Sequence, residues 1–315
     1  MEHMAYKTRV LLILKLGEVA ARYVVRAAKH SLSPRRNALL GRLLVQAVAP
    51  FLTRERKHFF NNLDIAFPGG APFPKERFFR RVLSNFSRAL LDTVYASQGW
   101  PERAGILFDK AELDEALHKV DEVYKRHGRL IVISGHIGSW ELLGAVLGTR
   151  FDTRAVARKL FYEPYQDAIM AMRKRLGYGV FLQEDPITSM ARFVKDGGLL
   201  GLIADQDIAH NAGVFAPFFG KDAYTPVGPA ALGTLTRTTM LPVFCVHEAP
   251  RYKMVIGEPI EPPGKRDDDT VLALTCAWQA EIEKVVRCYP DQWAWFHRRW
   301  KTRPEDVKKS AEGTG

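Results

Sequence analysis

A histidine set between two glycines, in the run Gly135-His136-Ile137-Gly138, is followed five positions on by a carboxylate, Glu141. On a regular helix, residues five apart stand about 140° from each other and do not meet. They meet if His136 lies in a turn and Glu141 in the first turn of the helix after it. The carboxylate can then hold one ring nitrogen and leave the other as a general base. The plainer use of the same pair is a histidine at a helix start and a glutamate that complements the helix dipole. Further polar residues could share the chemistry: Ser139 in the same turn, Arg158-Lys159, and Asp205-Gln206-Asp207. His136, Glu141, Asp205, Asp207 and His210 are a competing set of metal ligands, although their spacing matches no recognised zinc motif. Of the three cysteines, Cys245, Cys276 and Cys288, none forms a CxxC pair. Cys245 sits in an apolar run that suits an inert buried thiol. No Gly-x-Ser-x-Gly elbow and no phosphate loop is present.

These residues need elements to position them. Leu130–Ser134 (LIVIS) has the unbroken apolar character of a buried parallel strand, and the helix pattern WELLGAVLG begins at Trp140. The alternation continues. Strand patterns at 153–158, 177–181 and 199–205 are interleaved with helix patterns at 164–176 and 187–195. A short helix at 227–238, two strands in LPVFCVHE and YKMVIGEPI, and a long helix at 270–288 complete the series. Helix patterns at 75–97 and 112–127 precede it. Strands alternating with helices predict an α/β fold, a layered mixed sheet flanked by helices. In such sheets ligands bind beyond the carboxyl ends of the strands, where His136, Arg158 and Asp205 all fall.

Composition sets the wider frame. The chain has 315 residues, 47% hydrophobic and 26% charged, with a formal net charge of +11. That excludes a disordered, collagenous or disulfide-dense chain. The charge is uneven. Residues 1–60 carry +9, residues 61–296 carry −1, and residues 297–315 carry +3. Basic ends point to nucleic acid or an acidic membrane surface, or to ordinary solvated cations. In residues 10–28, Lys15, Glu18, Arg22 and Arg26 fall on one helical stripe that Lys29 continues, and the rest of the circumference is nearly all apolar. This suits a buried helix with one wet edge, or a helix lying in a membrane interface with its charges among the headgroups. A second apolar segment, Leu43–Leu52, is followed by the basic run Arg54–Lys57. The C-terminal run DQWAWFHRRWKTRP, which includes Trp300, mixes tryptophans with cations as membrane-facing surfaces do. The expected organisation is 1–60 for membrane-associating helices, 61–304 for a catalytic body and 305–315 for a polar tail.

Together these residues resemble a family. NNLDIAFP (Asn61–Pro68), SGHIGSWELLG (Ser134–Gly144), Arg158 at a strand end, ADQD (Ala204–Asp207), PFFGKDAYTPVGPAALG (Pro217–Gly233) and DQWAWFHRRWKTRP (Asp291–Pro304) occur in order along the chain. In this it is similar to the lipid A biosynthesis acyltransferases, the lauroyl/myristoyl transferases of Gram-negative bacteria. They belong to the wider group with a His-x4-Asp/Glu motif. The resemblance departs at two places. The N-terminal segment is charge-striped where the family often has a clear membrane span, and Glu163-Pro164 stands where Asn-Pro is frequent. The resemblance implies a glycerolipid-acyltransferase-like fold at the cytoplasmic face of the bacterial inner membrane, held either peripherally or by a single N-terminal span. It also implies acyl transfer from acyl carrier protein, the acyl chain riding on phosphopantetheine, to a hydroxyl of a Kdo-lipid A precursor. No other cofactor, no metal and no nucleic acid is expected. In that scheme His136 is the base, Glu141 fixes its tautomer, and Arg158 meets the developing oxyanion or a lipid phosphate. Asp205 and Gln206 hold Arg158 or a substrate hydroxyl, Lys159 and Ser139 bind substrate, and Lys15, Arg22, Arg26, Lys29 and Trp300 meet the membrane. Two alternatives stand beside it: another glycolipid or aminolipid acceptor, and a non-catalytic lipid-binding protein.

Overall fold

The computed structural model describes residues 33–208, 212–265 and 267–306. The stripe formed by Lys15, Arg22, Arg26 and Lys29 lies outside the described residues, as does His210. Helix α1 (Pro34–Val48) starts at Ser33, whose hydroxyl accepts from the Arg36 amide, with Pro34 at the first helical position. Its buried residues, Asn37, Gly41 and Val45, recur every four positions and form one face. That face packs on α3 (Lys75–Ala96). A Cβ at Gly41 would stand 3.2 Å from Ser87 Cβ, so the two helices cross closely at this glycine. A 3-10 turn (Ala49–Phe51) leads from α1 to α2 (Thr53–Ala66). After α3 comes α4 (Lys110–His127), capped by Asp109 and closed by Lys125, Arg126 and His127, which suit the negative end of the helix dipole.

The remaining elements are β1 (Leu130–Ser134), α5 (Trp140–Gly148), β2 (Thr153–Ala157), α6 (Glu163–Arg175), β3 (Gly179–Leu182), α7 (Ile187–Lys195) and β4 (Leu199–Ile203). They are followed by β5 (Gly213–Phe218), β6 (Lys221–Pro226), α8 (Gly228–Thr236), β7 (Met240–Glu248), β8 (Arg251–Ile256) and α9 (Asp268–Cys288). Six strands form one sheet in the order β3-β2-β4-β1-β7-β8. All neighbours are parallel except β7 and β8. The α/β architecture expected from the alternating pattern is therefore present. A separate antiparallel hairpin, β5–β6, was not among the expected elements.

Successive residues of β1 feed opposite cores. Ile131 and Ile133 join a cluster with Leu200, Leu202, Trp278 and Trp293. Leu130 and Val132 join one with Leu117, Val120, Leu142 and Val146. Burial on both faces explains why β1 reads as an unbroken apolar run. Among the described residues no helix is long and apolar enough to cross a membrane.

Candidate active site

Strands β1 and β4 are parallel neighbours, with Ser134 opposite Ile203. His136 lies two residues beyond Ser134, and Asp205 two beyond Ile203, so the two chains leave the sheet side by side. Asp205 is 1% exposed and receives three hydrogen bonds. Its Oδ2 accepts from the His136 backbone N–H at 2.7 Å and from Trp293 Nε1 at 2.8 Å, and its Oδ1 lies 2.6 Å from His136 Nδ1. Burial alone would raise the Asp205 pKa, but His136, and then His297 and the Trp293 donor, outweigh it and hold the group below the usual carboxylate range. An ionised carboxylate only accepts, so the Nδ1 of His136 carries a proton, and in the neutral ring the lone pair falls on Nε2. The amide Nε2 of Gln206 sits 3.1 Å from His136 Nε2 and 3.2 Å from His297 Nε2. Burial, followed by the charge of His136, lowers the His297 pKa to about 4, so it is neutral at pH 7 and accepts from Gln206.

The turn that carries His136 is stitched to two other parts of the chain. The His136 carbonyl accepts from Ala294 N, Gly138 N donates to Gln292 O, and Ser139 N donates to Cys245 O. Gly138 has φ +61, and a Cβ there would come 2.0 Å from Cys245 O. Only glycine fits that turn. Asn62 on α2 donates to Trp295 O at 2.7 Å and also to His297 O. Both oxygens of Asp207 accept from Thr302, through its N–H and its hydroxyl. The C-terminal run thus forms the back wall of the site.

Two openings meet here. A cleft of about 410 Å³ is lined by His136, Arg158, Arg173, Gln206 and Lys301. A groove of about 380 Å³ is lined by Phe86, Ala89, Leu90 and Met172. Trp140 and Ile169 line both. A nucleophile held at His136 Nε2 would stand beside a cationic cleft, with an apolar channel one side chain away.

The structure corrects several expectations. Glu141 does not hold His136. It is bonded to Arg173, Tyr178 and Trp140, and Asp205 takes the place expected for it. The helix geometry accounts for this: Glu141 lies in the first turn of α5 but faces α6. Asp205 and Gln206 hold His136, not Arg158. Arg158 is exposed at the end of β2 and lines the cleft, while Lys159 is exposed outside that lining. Ser139 is buried, its hydroxyl 3.2 Å from Thr93 Oγ1, and lines the apolar groove. Trp300 packs half-buried on Phe218 instead of facing outward. Trp293, Trp295 and Arg299 of the same run are fully buried. Arg299 donates to Tyr224 O and Thr225 Oγ1 and so pins the β5–β6 hairpin. His297, Trp293, Arg173 and Tyr178 were not singled out in the sequence. Only the first two carry a signal, because they lie within a motif already marked.

The family model for bacterial lipid A biosynthesis acyltransferase matches residues 19–302. The chain belongs to this family. The acyltransferase is 27% identical over 273 residues to the lipid A biosynthesis palmitoleoyltransferase of Escherichia coli (strain K12), covering 84% of this chain and 85% of that protein. It is 23% identical to the lipid A biosynthesis lauroyltransferase of the same organism, with 85% of each chain covered. It is also 26% identical over 170 residues to a phosphatidylinositol mannoside acyltransferase of Mycobacterium tuberculosis, 52% of each chain. The protein is an O-acyltransferase, which sets aside the non-catalytic alternative.

Proposed function

We propose that this acyltransferase moves a fatty acyl chain from an acyl carrier protein thioester directly to a hydroxyl of a Kdo-bearing lipid A precursor. The observation that carries the mechanism is the Asp205–His136 pair, which leaves an imidazole lone pair facing a cleft next to an apolar groove. His136 Nε2 takes the proton of the acceptor hydroxyl as the oxygen attacks the thioester carbonyl. Asp205 balances the imidazolium that results. Arg158 stabilises the oxyanion of the tetrahedral intermediate or a substrate phosphate. The new C–O bond forms and the C–S bond breaks. The departing thiolate recovers the proton from His136. Gln206 occupies Nε2 in the free protein and must move aside for the hydroxyl. No acyl-enzyme is needed, and Cys245 is a poor candidate for one, since burial pushes its thiol pKa well up.

The names of the two Escherichia coli relatives, a palmitoleoyl- and a lauroyltransferase, support a long fatty acyl donor and a lipid A-type acceptor. The mycobacterial relative favours a second reading, in which the acceptor is another glycolipid. The same proposal seats the protein on an anionic inner-membrane surface. Leu39, Leu43, Val48 and Phe51 are exposed on α1 and the turn after it, and Arg42, Arg54 and Lys57 are exposed nearby. The deciding experiment incubates purified protein with a panel of acyl carrier protein thioesters and labelled Kdo-lipid A precursor or phosphatidylinositol mannoside. Product mass identifies donor and acceptor together. Transfer to neither acceptor would refute the proposal.

A further inference from the structure

The Glu141 carboxylate is saturated. Arg173 Nε donates to Oε2 at 3.0 Å and Nη2 to Oε1 at 2.7 Å, a two-pronged clamp. The Tyr178 hydroxyl donates to Oε2, and Trp140 Nε1 donates to Oε1 at 3.2 Å. Four donors fill the roughly four lone-pair positions of a carboxylate. Nothing is left for His136, whose Nδ1 already belongs to Asp205. Both side chains of the Glu141–Arg173 pair are only 16% exposed. A largely buried ion pair of this kind is weak evidence for stability, because desolvation offsets most of the attraction. Its location is more informative. Arg173 lines the cationic cleft with Arg158 and Lys301, and Glu141 lines the apolar groove. The pair therefore stands where the two openings join. Among the described residues the one carboxylate lining the cleft is Asp207, which accepts two hydrogen bonds from Thr302 and is outnumbered by Arg158, Arg173 and Lys301. The cleft therefore offers its charge to an anion. Two of the five guanidinium N–H groups of Arg173 serve Glu141 and another engages Tyr178, so the donors that remain are held in a fixed orientation.

We infer that Glu141 serves the reaction through Arg173 and not through His136: it is a positioning residue that fixes the guanidinium in the cleft wall, where Arg173 receives a phosphate ester of a substrate. This rests on the acyl-transfer reading above. The shared chemistry is a phosphate ester. It can come from the acceptor glycolipid or from the phosphopantetheine arm of the donor.

The test is steady-state kinetics of the full-length protein across pH for wild type, E141Q, R173K, the double variant and D205N. The expected loss in kcat/KM for E141Q is on the order of 10- to 100-fold, the worth of one charge-assisted contact. The acid limb of its pH profile stays where the wild type has it, while D205N moves that limb. The double variant is no worse than the poorer single variant, because both substitutions remove one unit. Against an acyl-pantetheine donor without phosphate, or an acceptor without phosphate, the R173K penalty disappears for whichever substrate supplies the ester. Circular dichroism checks folding, and Y178F carries the same test if E141Q does not fold. An acid limb displaced in E141Q or Y178F as in D205N would overturn the inference. So would losses that multiply in the double variant, or an R173K penalty that persists without either phosphate. An inactive wild type would instead overturn the acyl-transfer reading itself.

Discussion

His136 has one ring nitrogen available for chemistry because a buried acceptor claims the other. The substitution D205N tests that arrangement sharply. The Asn carbonyl can still accept from Trp293 and the His136 amide, which turns its NH2 toward Nδ1 and drives the imidazole proton onto Nε2. That is the wrong tautomer for a base, and activity is expected to fall by about 10²- to 10⁴-fold with the fold intact. H136A is expected to lose a similar factor in a product-formation assay, and retained turnover would remove His136 from the mechanism. C245A is expected to stay active, and a trapped acyl-cysteine seen by mass spectrometry would contradict direct transfer. At this scale the sequence disclosed membership but not pairing. His136, Asp205 and Gln206 could be placed at strand ends from pattern alone. Their contact follows from the β1–β4 register, in which residues 69 apart in sequence become neighbours. The nearby Glu141 was the natural partner along the chain, and α5 turns it toward Arg173 instead.

Elements hold these side chains through a few points where backbone meets backbone. Gly138 is one. Alanine there would combine a positive φ with a Cβ overlapping the Cys245 carbonyl, so G138A is expected to cost about 3 kcal/mol or more in a urea titration. The junction of α1, α3 and β8 is another. Asp92 on α3 is fully buried, accepting from Asn37 at 2.7 Å and from Tyr252 at 2.8 Å. Burial raises its pKa to about 6, against the opposing effects of Asn37, Tyr252 and Arg88. The folded chain therefore binds this proton more readily than the unfolded one between pH 3.8 and about 6. The resulting stabilisation is complete below that window and is lost as the pH rises through 6. D92N lacks the titration. The stability difference between D92N and wild type should thus shift by about 2 kcal/mol, in favour of the variant, from pH 4 to pH 7. A constant difference in urea midpoints would contradict this. Strands β1 and β4 were legible because their apolar runs, LIVIS and LLGLI, carry no charge. The β5–β6 hairpin was not, because Pro217, Gly220, Lys221 and Asp222 interrupt any alternation.

For the whole molecule, the question is how a protein with no membrane-crossing helix among its described residues would reach a lipid acceptor. Phe51 is 82% exposed, and Leu39 and Leu43 are more than half exposed on the preceding helix. L43D and F51D are expected to reduce co-sedimentation with anionic vesicles, and raised salt to weaken what remains. Binding unchanged by either treatment would place the lipid contact elsewhere. The uneven charge visible in the sequence anticipated a basic end. It could not reveal that part of the C-terminal basic, tryptophan-rich run is core, with Arg299 sealed inside. That placement also affects how the protein is made. The proposed base comes from residue 136 and its carboxylate from residue 205, but the wall that locks them spans residues 292–302. During synthesis the ribosome delivers the sheet before this wall. A chain stalled before Trp293 would display a histidine and an aspartate without the indole that steadies them, so catalytic competence should wait until residues 292–302 have emerged.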